Sequence, residues 1–270
     1  MRKSCIRTNT YYCGGSSNKK SPYLEISLFP FLDIEKPKER KKKEAVTAPK
    51  QKKLNDKRSK RYFGQLVKSN FGEGDLHLTL TYDNKFLPDS EEAAEAEARN
   101  YIRRLQRARR KKGLDPLKYL LVTEKGLKSK RIHHHLIINN GLDRDEIELL
   151  WSRPKKKGEK RGKPLGWANA DRIRLDDNGI EALAEYLSKD PQGRKRWNQS
   201  QNLKKPMVSQ NDTKTRKKDF MRLVEMPEDC EAVQQYFENQ QPGYRVTSVS
   251  KDYNAVAGTW SFYVKMCLRI

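Results

Sequence analysis

Histidine is scarce in this chain: four in 270 residues, three of them consecutive at 133–135 and the fourth at His77. Cysteine is equally scarce. Cys5, Cys13, Cys230 and Cys267 are scattered without a C-x-x-C pair. That argues against a zinc ribbon or a disulfide framework and for a reducing, cytosolic compartment. No apolar run approaches the roughly 20 residues needed to span a bilayer. The opening stretch MRKSCIRTNTYYCGGSS has no apolar h-region, so no secretory signal is expected. A G-x-x-x-x-G-K-[ST] phosphate loop is also missing, which excludes the usual ATP-driven motor. Self-similar repeats are absent too, so a solenoid is not expected.

What the chain has in excess is positive charge. Lys and Arg number 58 against 35 Asp and Glu, a formal net charge of +23. Such a surplus sets up a positive field and favours a polyanionic partner, nucleic acid first and no membrane. Residues 36–61 carry thirteen Lys or Arg against three acids. That run reads either as a solvated linker leading into a basic helix or as a direct DNA contact. Residues 1–45 are accordingly set apart as an extension, and 46–270 as the main domain.

Periodicity places the elements. PYLEISLFPFLDI holds an edge strand interrupted by Pro30, and a helix runs from Thr47 to about Ser69 with Pro49 in its first turn. DLHLTLTYD alternates, with Leu76, Leu78, Leu80 and Tyr82 on one face and His77, Thr79 and Thr81 on the other. Ser90 caps a helix that Gly113 stops, with acids in its first turn and bases in its last. KYLLVTEKG and IHHHLIINN follow as two strands of a hairpin, and Asp143 opens a short helix through Trp151. RPKKKGEKRGKPLGW is a basic loop, ANADRIRL a strand, and Asn178 caps a helix to about Lys189 with Glu181 at capping-box spacing. One more helix, at about 227–239, and two strands complete the chain. This order is not a βαβ alternation and predicts an α+β fold: a central antiparallel sheet flanked by helices.

Strand alternation divides the histidine triplet. His133 and His135 share one face and His134 points to the other. Two imidazoles at i and i+2 can ligate one metal ion. Glu124, nine residues before His133 on the preceding strand, comes opposite the pair in a hairpin. Two histidines and one carboxylate suit a divalent ion such as Mn²⁺ or Mg²⁺, with Zn²⁺ or Fe²⁺ also compatible with the ligand types. His77 is a further candidate ligand whose position a surface or DNA contact explains equally well; it stays outside the expected set.

On the tyrosine helix, at about 100° per residue, Ile180, Leu183, Ala184 and Leu187 form the core stripe. Tyr186 falls about 110–120° from the stripe's centre and Lys189 about 60° from Tyr186. A phenol with a pKa near 10 is a poor nucleophile at neutral pH. A neighbouring ammonium and a metal-polarised phosphate make its attack easier.

Together, HLTLTY (77–82), HHHLII (133–138) and YLSK (186–189) resemble the HUH endonucleases, and among them the single-tyrosine rolling-circle replication initiators of bacterial plasmids and phages. SQNLKKP (200–206) resembles the segment that follows the tyrosine helix in such initiators. The resemblance spans about residues 72–206 and fills the family's bulky middle position with His134. It implies an RRM-like palm sheet with the histidine pair on a central strand and the tyrosine on a facing helix. It also implies metal ligation by Glu124, His133 and His135, attack on single-stranded or hairpin origin DNA by Tyr186, and orientation of the phosphate by Lys189. Thr79, Thr81, Arg131, Lys155, Lys156, Lys157, Lys160 and Arg161 are the candidate DNA contacts. A host helicase and DNA polymerase would supply strand separation and synthesis. The competing readings are a transposase or conjugative relaxase with the same nicking chemistry, and a non-catalytic DNA-binding regulator on the same scaffold.

Overall fold

The computed structural model describes residues 4–15, 21–32, 49–126, 131–189, 197–255 and 258–269. The basic run at 36–48 and the tip of the histidine hairpin at 127–130 lie outside them. In chain order the elements are β1 (Ser4–Cys13), β2 (Tyr23–Leu32), α1 (Pro49–Asn70), β3 (Leu76–Leu80), α2 (Glu91–Lys111), β4 (Tyr119–Lys125), β5 (Ile132–Ile138), α3 (Arg144–Leu149) and β6 (Ala168–Arg172). Then come α4 (Glu181–Leu187), β7 (Asn198–Gln199), β8 (Met207–Asn211), α5 (Lys217–Glu225), α6 (Glu231–Gln240), β9 (Tyr244–Asn254) and β10 (Thr259–Leu268). Among the described residues, no helix is long and apolar enough to cross a membrane.

The fold is α+β, as expected, but the strands form two five-stranded antiparallel sheets rather than one. Two compact units contain them. One is discontinuous, residues 1–69 with 205–270; the other is residues 70–204. The chain therefore divides near 69/70 and 204/205, not at 45/46. The reason is strand pairing: β1 pairs with β8, and β2 with β10, across most of the chain's length. Composition carries no trace of such distant partners. The second unit begins and ends at one hydrogen-bonded pair. Asn70 Nδ2 donates to the Lys204 carbonyl (2.8 Å), and the Lys204 N–H donates to Asn70 Oδ1 (2.7 Å).

In the discontinuous unit the strand order is β8-β1-β2-β10-β9. The expected edge strand, β2, is central over Tyr23–Leu28, where β10 flanks it; beyond that it pairs with β1 alone. Pro30 sits in that singly paired stretch, where its missing N–H costs no second ladder bond. Leu24, Ile26 and Leu28 pack with Phe220 and Leu223 of α5 and with Val233 and Phe237 of α6. α5 itself has no counterpart in the sequence reading. Glu25 points away from that core and is fully buried against α1, accepting from Lys68 Nζ (2.7 Å) and Gln65 Nε2 (2.7 Å).

The second unit has strand order β6-β3-β5-β4-β7. Alternation in β3 buries Leu76, Leu78 and Leu80 on one face, where they meet Leu121, Leu136, Ile138 and the apolar stripe of α2. The α2 caps follow the sequence. Ser90 accepts from the Ala93 N–H, and Lys112 closes the far end just before Gly113, whose φ is 65°. Arg109, in the basic last turn, is nevertheless buried. Its guanidinium donates to the carbonyls of Asp115, Asn139 and Asn140. Asp143 caps α3 by accepting from the Asp145 N–H. The expected Asn178 cap does not form at α4. The helix starts after Ile180 without a side-chain cap, and Asn178 lies in a tight turn closed by paired bonds between Asp176 and Gly179. Gly179, at φ 73°, supplies the left-handed residue that this turn requires.

Candidate functional site

The histidine strand β5 is central, flanked by β3 and β4. Its registers set the site. Glu124 faces His133, Val122 faces His135, and on the other side Thr79 faces His135 and His77 faces Ile137. Directly opposed residues share a face. Glu124, His133, His135, Thr79 and His77 therefore converge on one face of the sheet, opposite the α2 core.

Glu124, His133 and His135 each present a ligand atom within 4.8 Å of the others. Glu124 Oε2 lies 3.5 Å from His133 Nε2 and 4.0 Å from His135 Nε2. The imidazole of His133 holds Glu124 below the usual carboxylate range, more strongly than burial raises it, and the charges of His135 and Lys189 add to the effect. The same contact raises His133. His135 is 3% exposed at its side chain, and burial first, then His77, pushes it down to about 4. It is thus neutral at physiological pH, the form that ligates metal.

Two observations test whether a metal fits. His135 Nε2 is buried and has no hydrogen-bond partner, although it points at Glu124. A buried polar atom left in this way asks for a ligand. Its other nitrogen, Nδ1, lies 3.2 Å from His77 Nε2 and 3.5 Å from Thr79 Oγ1. A metal on Nε2 requires the proton on Nδ1, and His77 stands where it can accept that proton. The rings of His77 and His135 stack with centroids 5.3 Å apart. His77, left outside the expected set, is thus a positioning residue at the centre. The signal for it lay in pairing β3 with β5, which puts His77 and His135 on one face. Residues Glu124, His133 and His135 can hold a divalent ion.

His134 turns to the opposite face and is fully buried. Its Nε2 meets the Tyr82 hydroxyl at 2.8 Å and its Nδ1 the Thr123 hydroxyl at 2.9 Å. The sequence reading gives it the part of a bulky spacer; the structure adds a hydrogen-bonded strut. Two hydroxyl partners satisfy a neutral ring, and burial pushes its pKa down to about 3.

Tyr186, on α4, stays 45% exposed and sets its ring edge-on to His135 with centroids 5.4 Å apart. Ala184 and Leu187, the buried side of the same helix, anchor it. Lys189 follows two residues beyond the helix end, its Nζ 5.2 Å from the centre of the Tyr186 ring. The phenol, the ammonium and the three candidate ligands thus lie together.

The expected DNA contacts are distributed around this face. Thr81 Oγ1 donates to the Trp167 carbonyl, and the Arg131 guanidinium holds the Tyr82 carbonyl and the Asn84 side chain. Lys155, Lys156, Lys157, Lys160 and Arg161 are exposed on the loop that leads into β6.

Residues 75–191 match a family model for replication-associated proteins of the ORF2 type. This segment, less than half of the chain, runs from just before β3 to just past the tyrosine helix and contains every residue of the candidate centre. It is similar to replication-associated proteins and supports a replication-initiator role. No curated protein and no solved structure matches the chain.

Proposed function

We propose that the chain is a metal-dependent, origin-specific single-strand DNA endonuclease that starts rolling-circle replication of a bacterial plasmid or phage. The observation that carries this reading is the placement of the Tyr186 ring against His135, whose Nε2 is orphaned beside Glu124 and His133. A divalent ion held by these three residues, Mn²⁺ or Mg²⁺, would polarise the scissile phosphate.

The Tyr186 oxygen attacks phosphorus, the bond to the 3′ oxygen breaks, and the 5′ phosphate is left esterified to tyrosine. The phenolic proton departs to solvent, and the leaving 3′ oxygen takes one up, giving a hydroxyl that primes synthesis. Lys189 carries positive charge to the same place and holds the phosphate for in-line attack. A host helicase and polymerase complete the process. The replication-associated match favours an initiator over a transposase or relaxase with the same chemistry.

The test is a covalent adduct. Protein with Mn²⁺ is expected to shift an oligonucleotide carrying its origin to a denaturation-resistant band on a gel. Tyr186→Phe is expected to bind the oligonucleotide and lose the band. Nicking by the Phe variant at the wild-type rate would remove Tyr186 from the mechanism.

A further inference from the structure

Trp167 is 60% exposed, which is unusual for the largest side chain in a unit that buries Trp151 almost completely. Its place is set by backbone. The Thr81 N–H donates to the Trp167 carbonyl (2.8 Å), continuing the β3–β6 ladder in which Thr79 faces Asn169 and His77 faces Asp171. By the same register, Thr81 extends β3 alongside His133. Trp167, Thr81, His133 and Glu124 therefore form one cross-strand row on the site's face. With strands about 4.8 Å apart, the indole stands roughly 10 Å along that row from His133.

The approach is built in. A Cβ on Gly166 would lie 2.4 Å from the Thr81 carbonyl oxygen and 2.7 Å from Tyr82 Cα, so the chain can come this close only with glycine there. Just upstream, residues 153–163 form a closed loop. The Arg153 N–H donates to the Lys163 carbonyl (3.0 Å), and the Leu165 N–H to the Trp151 carbonyl (3.1 Å). The side chains of Lys155, Lys156, Lys157, Lys160, Arg161 and Lys163 are all exposed on it. An exposed indole on a fixed backbone, beside a cationic loop and in line with the phosphate site, has the makings of a surface for unpaired nucleotides.

We infer that Trp167 is a stacking platform for a base of the single-stranded DNA near the scissile phosphate, with the cationic loop 153–163 holding the strand's phosphates. This rests on the single-strand reading above and adds the residue that seats the strand. Stacking accepts any base and carries no charge. Loop lysines act through counterion release and set the salt dependence.

The experiment measures fluorescence anisotropy of labelled oligo(dT) of about 16 nucleotides with the full chain in EDTA, across a salt series. Trp167→Ala is expected to weaken binding by about 5- to 150-fold with an unchanged slope of log affinity against log salt. Trp167→Phe should recover much of the loss. Replacing Lys155, Lys156 and Lys157 with Ala should flatten the slope. Wild-type affinity in Trp167→Ala, or a loss that comes with a flattened slope or is not recovered by Phe, overturns the platform. Failure of the wild-type chain to bind oligo(dT) at all would instead overturn the single-strand reading on which it rests.

Discussion

His134→Ala separates structure from chemistry within three consecutive identical residues. The ring is 0% exposed and bridges the Tyr82 and Thr123 hydroxyls at 2.8 and 2.9 Å. Truncation strands both hydroxyls and opens a cavity beside Trp151, whose ring centroid lies 6.0 Å from that of His134. Tyr82 has a fallback in the Ala94 carbonyl at 3.4 Å, a long bond that recovers only part of the loss. A stranded buried hydroxyl costs about 1–3 kcal/mol, and the cavity adds to it, so a loss of roughly 3–5 kcal/mol is expected. His133→Ala, on a side chain 25% exposed, should cost within about 1 kcal/mol. Metal binding should show the reverse ranking, with His133→Ala and His135→Ala severe and His134→Ala mild at temperatures where the variant stays folded. Stability is read by urea titration in EDTA, followed by hydrogen exchange on peptides covering β3 and β5, which isolates this unit from the other. If His134→Ala loses no more stability than His133→Ala, the strut assignment is wrong. Equal damage to metal binding from all three variants would refute the division of faces.

Two further outcomes follow from the same geometry. His134 has its pKa lowered from the ordinary 6.5 to about 3, so between those values the unfolded chain binds a proton that the folded one excludes. Its contribution is whole above pH 6.5 and is lost as pH falls toward 3, by at most about 1.4 kcal/mol per pH unit. Unfolding titrations of wild type and His134→Gln in EDTA should show the steeper pH slope in wild type, and parallel slopes would contradict the neutral buried ring. His77→Ala should weaken Mn²⁺ binding by about 10- to 100-fold by calorimetry, because His135 loses the partner that fixes its tautomer. Unchanged Mn²⁺ affinity in that variant would reduce His77 to a bystander.

Much of the candidate centre can be read from the sequence because its parts are local. Alternation in IHHHLII divides the triplet, and a hairpin between two strands leaves one register that sets Glu124 against His133. The capped helix α2 and the short helix α3 carry their start signals in Ser90 and Asp143. Features resting on distant partners are invisible by the same logic. Nothing near β1 and β2 announces β8 or β10, so the sequence predicts one sheet where there are two. The role of His134 needs Tyr82, and that of His77 needs the β3–β5 register. Arg109 obeys the rule for basic residues at a helix end, yet the loop carbonyls it meets exist only in the folded unit. At α4 the Asn-x-x-Glu spacing of 178–181 imitates a cap, while the Asp176–Gly179 turn uses those residues differently.

The joined ends of the second unit have a consequence for synthesis on the ribosome. Its entry and exit, Asn70 and Lys204, are tied by two hydrogen bonds, and all of its strands lie between them. The nascent chain can therefore finish this unit while β1, β2 and α1, made earlier, still wait for β8, β9 and β10. During that interval β2 has no β10 beside Tyr23–Leu28, and Leu24, Ile26 and Leu28 lack the α5 and α6 side chains that cover them. Birth order thus makes the sheet of the discontinuous unit the last part to close and the one most exposed to mispairing with another nascent copy.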